Sequence, residues 1–219
     1  AIHDAQTTGK LHSTTRAALD RMWMLQQEDG AWDWLKCDWP PLESDDYYGA
    51  VFVTLGVGLA PDGYADTPAA KAGMEKVRRY LKETPAPSVH HSLMLLWASL
   101  KTPGLMTQDD HEATIKELLA RQRPNGGWSL TSLGDWKRRD GLLNDPGCAP
   151  SDGYATGLVV YVLRRAGLPA DHDAIRRGVV WLKSSQRESG RWFTRSVNND
   201  KFHFIANAGS AYAVMALDA

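Results

Sequence analysis

Cysteine is scarce in this chain. There are two, Cys37 and Cys148, 111 positions apart, with no CxxC or CxxCH. That excludes a disulfide framework, a zinc ribbon and a c-type haem attachment, and it neither requires nor forbids a single bridge. Long hydrophobic runs are missing too. The longest, Tyr47 to Ala60, has 14 residues, short of the roughly 20 needed to cross a bilayer, so no transmembrane segment is expected. Nor does one sign of charge prevail: 25 Lys+Arg stand against 26 Asp+Glu. Residues 1–66 hold 4 basic and 11 acidic side chains and the remainder 21 and 15. The basic residues stand singly or in pairs such as Arg164-Arg165, with no block that would track a phosphate backbone, so nucleic acid is not an expected partner. Phenylalanine is sparse, 4 residues, whereas tryptophan, with 9, is the commonest aromatic. Something in the architecture asks for indole rings. At 43% hydrophobic and 23% charged the composition excludes wholesale disorder. The 219 residues fit one domain able to bury a core without staples. The chain begins with Ala1 rather than Met, as removal of a leader or an upstream segment would leave it, so the compartment stays open.

The tryptophans fall into a repeat. The pattern Q-x-x-x-G-x-W occurs at Gln26–Trp32, Gln122–Trp128 and Gln186–Trp192. A degenerate fourth copy fits Arg79–Thr84, inside the long first gap. Each copy follows an amphipathic stretch, as in Ile115, Leu118, Leu119 and Gln122 at i, i+3, i+4, i+7. After each copy come a loop and a run apolar on nearly every side: 50–60, 92–100, 156–163 and 206–217. These runs are longer than strands and carry Gly and Ala inside them, which suits buried, closely packed helices. The expected fold is all-α: four helical hairpins, eight main helices, in repeat units of about 12–62, 66–102, 107–167 and 171–218. That is an α/α toroid or a partial (α/α)6 barrel in a single domain over 1–219.

The Gln, Gly and Trp of this pattern resemble the repeat of squalene–hopene cyclases, oxidosqualene cyclases and protein prenyltransferase β-subunits. The resemblance runs from about Thr14 to Ala216. It implies a central cavity and a full ring of six helical pairs, of which this chain supplies four. The expectation is therefore a fragment of a longer chain, or an arc completed by an upstream segment or an oligomer. Physically the motif reads as a brace: the Gln amide meets orphan carbonyls, Gly permits a positive φ or a close approach, and Trp covers a neighbouring unit. The alternative is that these Trp bind substrate. Trp23, Trp97 and Trp181 fall in predicted helices, which leaves Trp34, Trp39 and Trp136 in loops.

Where the resemblance places a cavity, the apolar helices begin with chemistry-bearing residues: Glu43-Ser44-Asp45-Asp46-Tyr47-Tyr48, then His90-His91, Asp152-Gly153-Tyr154, and His203 with Asn207. A structural reading makes Ser44 and Ser151 N-caps, with Asp in the first turn. A functional reading starts from Glu43-x-Asp45-Asp46, which is similar to the D-x-D-D of protonation-initiated cyclases, with Glu in the first place. The resemblance implies Asp45 as general acid, supported by Asp46 and Glu43. Tyr47, Tyr48, His90, His91, Asp152, Tyr154, His203, Asn207 and Trp136 are then the expected substrate contacts. The zinc set of prenyltransferases is not matched, since Asp145 and Cys148 have the wrong spacing. Cys148, Asp152 and His203 remain a borderline ligand set. No metal and no cofactor is expected. The long loop Ser129–Ser151 is a candidate lid or packing arm. Three functions compete. One is terpenoid cyclisation of an apolar small molecule by a proton from Asp. The second is a non-catalytic toroid that binds a ligand or protein. The third is a carbohydrate-active toroid using Asp45 and Asp152 as paired carboxylates.

Overall fold

A computed structural model describes residues 1–37, 39–145 and 147–219. The chain is all-α, with no strand among the described residues. Its helices are α1 (Ile2–Thr7), α2 (Ser13–Met24), α3 (Asp46–Leu59), α4 (Pro68–Glu83), α5 (Val89–Ser99), α6 (Gln108–Ala120), α7 (Gly153–Arg165), α8 (Asp173–Ser185) and α9 (Ile205–Leu217). Two 3-10 turns lie at Tyr64–Asp66 and Leu130–Ser132. Short α1 apart, these are the eight expected helices. Amphipathic α2, α4, α6 and α8 alternate along the chain with apolar α3, α5, α7 and α9, the plan of α/α toroid folds. No helix among the described residues is long and apolar enough to cross a membrane.

The chain divides into two compact units. The first comprises 1–37, 42–87 and 94–107, and the second 39–41, 88–93 and 108–219. In the first, α3 packs on α4 and α4 on α2. Its core includes Tyr47, Val51, Leu55, Tyr64, Met74, Val77 and Leu81. In the second, α7 is buried against α8 and α9. Tyr154, Leu158, Val159, Val160, Val162 and Leu163 of α7 are fully covered. Helices α7 and α9 approach through small residues. A Cβ on Gly157 would stand 2.5 Å from the Ala213 nitrogen, and one on Gly209 2.9 Å from the Tyr154 nitrogen.

One construction recurs in all three copies of the motif. The Trp indole nitrogen donates to a carbonyl ten residues earlier, in the preceding helix. Trp32 reaches Met22 at 2.8 Å, Trp128 reaches Leu118 at 2.7 Å and Trp192 reaches Leu182 at 2.7 Å. Each carbonyl lies in the last turn of its helix, where the regular donors run out; among the described residues Met22 and Leu118 otherwise receive only the Leu25 and Arg121 N–H, at 3.1 and 3.2 Å. The Gln amide donates to the carbonyl of its own motif Gly in every copy. In the first two copies it also donates to the next amphipathic helix, at Gly73 and at Ala174, 2.9 and 2.8 Å away. The motif glycines have φ of +103°, +89° and +77°. A side chain on Gly30 or Gly126 would also strike the Lys76 or Arg177 carbonyl, at 2.3 and 2.7 Å. Asp29 and Asn125 close the same turn by accepting from the Ala31 and Gly127 N–H.

Two expectations are corrected. Ser44 and Ser151 are not the N-caps of α3 and α7. Asp45 and Asp152 are, because the helices start one residue later than that reading requires. Ser44 donates to Asp45, and Ser151 to Asn125. The apolar helices are also not buried all round. Phe52 on α3 is exposed, and so are Val214 and Leu217 on α9. Helix α9 buries only Gly209, Ala213 and Ala216, because its contacts with α7 and α8 engage one face.

Replacing Trp128 by Phe keeps most of the buried ring and leaves the Leu118 carbonyl only its longer bond from the Arg121 N–H, 3.2 Å. We expect a loss of about 1–2 kcal/mol, against about 3–5 kcal/mol for Trp128→Ala, read from urea unfolding midpoints. Equal losses would show that the indole N–H contributes nothing.

Candidate functional site

The expected site residues fall into three places. The first is the start of α3. The N-cap Asp45 has extended backbone, φ −159°, and its Oδ1 accepts from the Tyr48 N–H at 2.8 Å. The Ser44 hydroxyl donates to its Oδ2 at 2.8 Å. Asp46, one residue on, faces other partners. It accepts from the Trp34 N–H at 2.9 Å and pairs with Lys36 at 3.1 Å. Asp33 shares that ammonium, and together the two carboxylates hold the Lys36 pKa above its ordinary value. Glu43 is half-buried. Tyr47 is buried against Tyr80, with ring centroids 6.4 Å apart. Burial, with Tyr80 and Asp45 nearby, pushes its phenol up to about 12. Tyr48 stacks on Phe52 at 5.9 Å, and Trp34 packs on both, at 6.4 and 6.1 Å. A Cβ on Gly49 would lie 2.6 Å from the Trp34 ring. The acid at the head of α3 therefore stands one turn from a three-ring aromatic face whose outermost member, Phe52, reaches solvent. Trp34 was singled out in sequence as a loop Trp, and this face is where it goes. Trp39, its neighbour in that reading, is partly exposed.

The second place is the buried start of α7. His90 Nε2 lies 2.9 Å from the Tyr154 hydroxyl, and their rings stack at 5.8 Å. His91 and Trp136 meet His90 edge-on, each at 5.8 Å, and His91 Nδ1 pairs with Ser88 at 2.7 Å. Tyr212 of α9 sits edge-on to Tyr154 at 5.0 Å. Its phenol is pushed up to about 12 by burial, against a hydrogen bond with Tyr154. Asp152 caps α7 by accepting from the Ala155 N–H at 2.9 Å, and it also accepts from the Leu130 N–H at 2.6 Å and the Thr194 hydroxyl at 3.3 Å. Burial outweighs those donors and raises its carboxyl to about 6. His90, Tyr154, Trp136 and Asp152 are thus brought together, whereas His203 and Asn207 line a separate open pocket in the same unit.

The loop 129–151 is not structureless. Leu133, just after its 3-10 turn, accepts the His90 N–H, and Trp136 lies over Gly134. The fully covered Arg138 side chain ties it to the segment 195–200. It donates to Asp140, to Asn144 and to the Ser196 carbonyl at 2.7 Å, and pairs with Asp200 at 3.0 Å. Arg195 and Arg138 hold the Asp200 carboxyl well below the usual carboxylate range. The loop is a clamped element of the second unit. Cys37 and Cys148 are both exposed. Among the described residues no three His, Cys, Asp or Glu gather to hold a metal ion, and Cys148, Asp152 and His203 form no such set.

Sequence reasoning missed Thr194 and Tyr212, which reach the α7 site only through the fold. It also missed Arg187 and Arg191, which stand at variable positions of the third motif copy. A comparison of those positions would have found them, since the first copy has Gln27 and Ala31 there and the second Arg123 and Gly127.

All-α architecture, the recurrent Gln–Gly–Trp brace and an acid-capped apolar helix together define an α/α helical-repeat protein. No family model matches the chain. Over 87 residues it is 30% identical to the squalene-hopene cyclase of Schizosaccharomyces japonicus, a match covering 36% of this chain and 13% of that protein. Over 138 residues it is 28% identical to protostadienol synthase A of Arthroderma gypseum, covering 56% of this chain and 18% of that protein. The chain spans less than a fifth of the length of these curated relatives.

Two predictions follow from the second unit. Asp152 has a folded pKa of about 6 against 3.8 unfolded, so the folded state binds its proton more tightly. The stability this gives is complete below pH ~4 and is lost as the pH rises to about 6, by roughly 3 kcal/mol. Asp152→Asn removes the titration. The stability difference between wild type and variant, from urea melts at pH 4, 5, 6 and 7, will shift toward the variant over that window. Arg138→Met leaves Asp140 and Asp200 facing one another at a half-exposed site and will cost about 2 kcal/mol, measured the same way.

Proposed function

We propose that the chain is a terpene-cyclase-type repeat domain. In this reading its four units, 12–62, 66–102, 107–167 and 171–218, belong to one toroid that binds an apolar isoprenoid and starts its cyclisation by protonation from Asp45. The observation that carries the reading is the placement of Asp45 beside the Trp34–Tyr48–Phe52 face. The chemistry needs two things. One is a carboxylic acid whose conjugate base is stabilised once the proton leaves, and Ser44 and the Tyr48 N–H both donate to that carboxylate. The other is a lining that stabilises the cation formed, and aromatic π faces do so. In the step itself the Asp45 O–H bond breaks and the alkene π pair forms a C–H bond. The neighbouring carbon becomes a cation and the next double bond attacks it. Asp46 acts indirectly, since its bonds to the Trp34 N–H and Lys36 hold the aromatic face in place.

A second reading is a binding domain without catalysis. It is favoured by the same two hydrogen bonds, because accepting from a neighbouring hydroxyl and from a helix N–H is the ordinary work of an N-cap.

Asparagine caps helices as well as aspartate does, so Asp45→Asn keeps α3 and removes only the acid. Incubation of wild type with squalene and with prenyl diphosphates should give cyclised product by mass spectrometry, reduced at least ~100-fold in the variant. Undiminished product in the variant removes Asp45 from the mechanism. Retention of squalene without product in either protein establishes the binding reading.

A further inference from the structure

The pocket that receives His203 and Asn207 has a chemistry the reading above does not use. Its volume is about 730 Å3, within the usual range for a small-molecule site. Its wall comes from the third motif copy and the start of α9. Arg187 lies over the Phe193 ring, 4.6 Å from its centroid, and His203 meets that ring edge-on at 5.1 Å. Arg191, Phe204 and Asn207 also line it. Phe204 is 62% exposed although it stacks on Phe202 at 5.4 Å.

The polar groups here are poised to donate. Among the described residues neither Arg187 nor Arg191 is in an ion pair, whereas Arg138, Arg176, Arg177 and Arg195 of the same unit all are. His203 Nδ1 accepts the Ser196 N–H at 3.1 Å, so in the neutral ring Nε2 carries the proton. The Asn207 side chain has no partner among the described residues. None of the described lining residues bears a carboxylate. Two unpaired guanidinium groups in a concave site attract an anion, and their planar forks match a carboxylate edge. Phe193 and Phe204 offer flat apolar faces beside that charge.

We propose that this pocket is a binding site for a small aryl carboxylate. The carboxylate sits between Arg187 and Arg191, and the ring lies against Phe193 and Phe204. The site is independent of Asp45 and of isoprenoid chemistry.

The test is calorimetric titration of the full chain with 2-naphthoate, 2-naphthalenemethanol and inorganic sulfate. Naphthoate should bind with a Kd below about 1 mM, and the neutral alcohol and the bare anion at least ~10-fold more weakly. Arg187→Gln with Arg191→Gln should weaken naphthoate ~10-fold or more and leave the neutral alcohol unchanged. Both arginines are exposed, so folding is unaffected, which the thermal melt will verify. Arg176→Gln, an ion-paired surface site of the same unit, should change nothing. Equal binding of alcohol and carboxylate, equal binding of sulfate and naphthoate, or an unchanged affinity in the double variant each overturns the proposal.

Discussion

The turn after each of α2, α6 and α8 depends on one hydrogen bond, from an indole N–H to a carbonyl ten residues back. A helix that ends leaves carbonyls facing out, and a buried carbonyl without a donor is costly. Tryptophan supplies the donor from within an apolar ring, so one side chain both fills the space beside the helix and pairs its last turn. The geometry admits only a tight return of the chain, which is why glycine precedes the indole by two residues and adopts a positive φ. At Gly30 and Gly126 the same glycine allows the next amphipathic helix to bring a carbonyl into contact with the turn. The Gln amide bonds to that helix as well, at Gly73 and at Ala174. Adjacent amphipathic helices are joined through the motif as well as through side-chain packing.

The acids show one capping position in two different surroundings. Asp45 and Asp152 both cap apolar helices, and both accept a helix N–H three residues on. Their surroundings separate them. Asp45 has a serine hydroxyl on its second oxygen and an aromatic face reaching solvent nearby. Asp152 is enclosed, ties α7 to the Leu130 turn and Thr194, and pays with a raised pKa for losing water. The first suits an acid that must meet a ligand. The second suits a fastening whose strength depends on pH.

Helix order, the motif turns and the identity of the capped helices were legible in the sequence. They depend on local periodicity and on backbone demands that only Gly, or a buried indole, meets well. The N-caps were misplaced by one residue because Ser44-Asp45 and Ser151-Asp152 each offer two good capping side chains in succession. Propensity does not rank them. The backbone conformation at Asp45 and Asp152 does. The exposure of Phe52, Val214 and Leu217 was illegible for a different reason. An apolar run states that a helix can be buried all round, and only its neighbours decide how many faces are covered.

The candidate sites divide along the same line. From the sequence alone came a helical-repeat scaffold, the acids at the heads of the apolar helices and an aromatic-rich supply of side chains, since all three depend on residue type and spacing. Tertiary structure alone decided that Asp46 turns to Trp34 and Lys36 rather than to Asp45, that His90 pairs with Tyr154 from 64 residues away, and that Arg187 and Arg191 face a pocket without a counter-ion. These are properties of distance between chain-remote groups. Electrostatic and hydrogen-bond energies fall steeply with that distance, and spacing along the chain does not contain it.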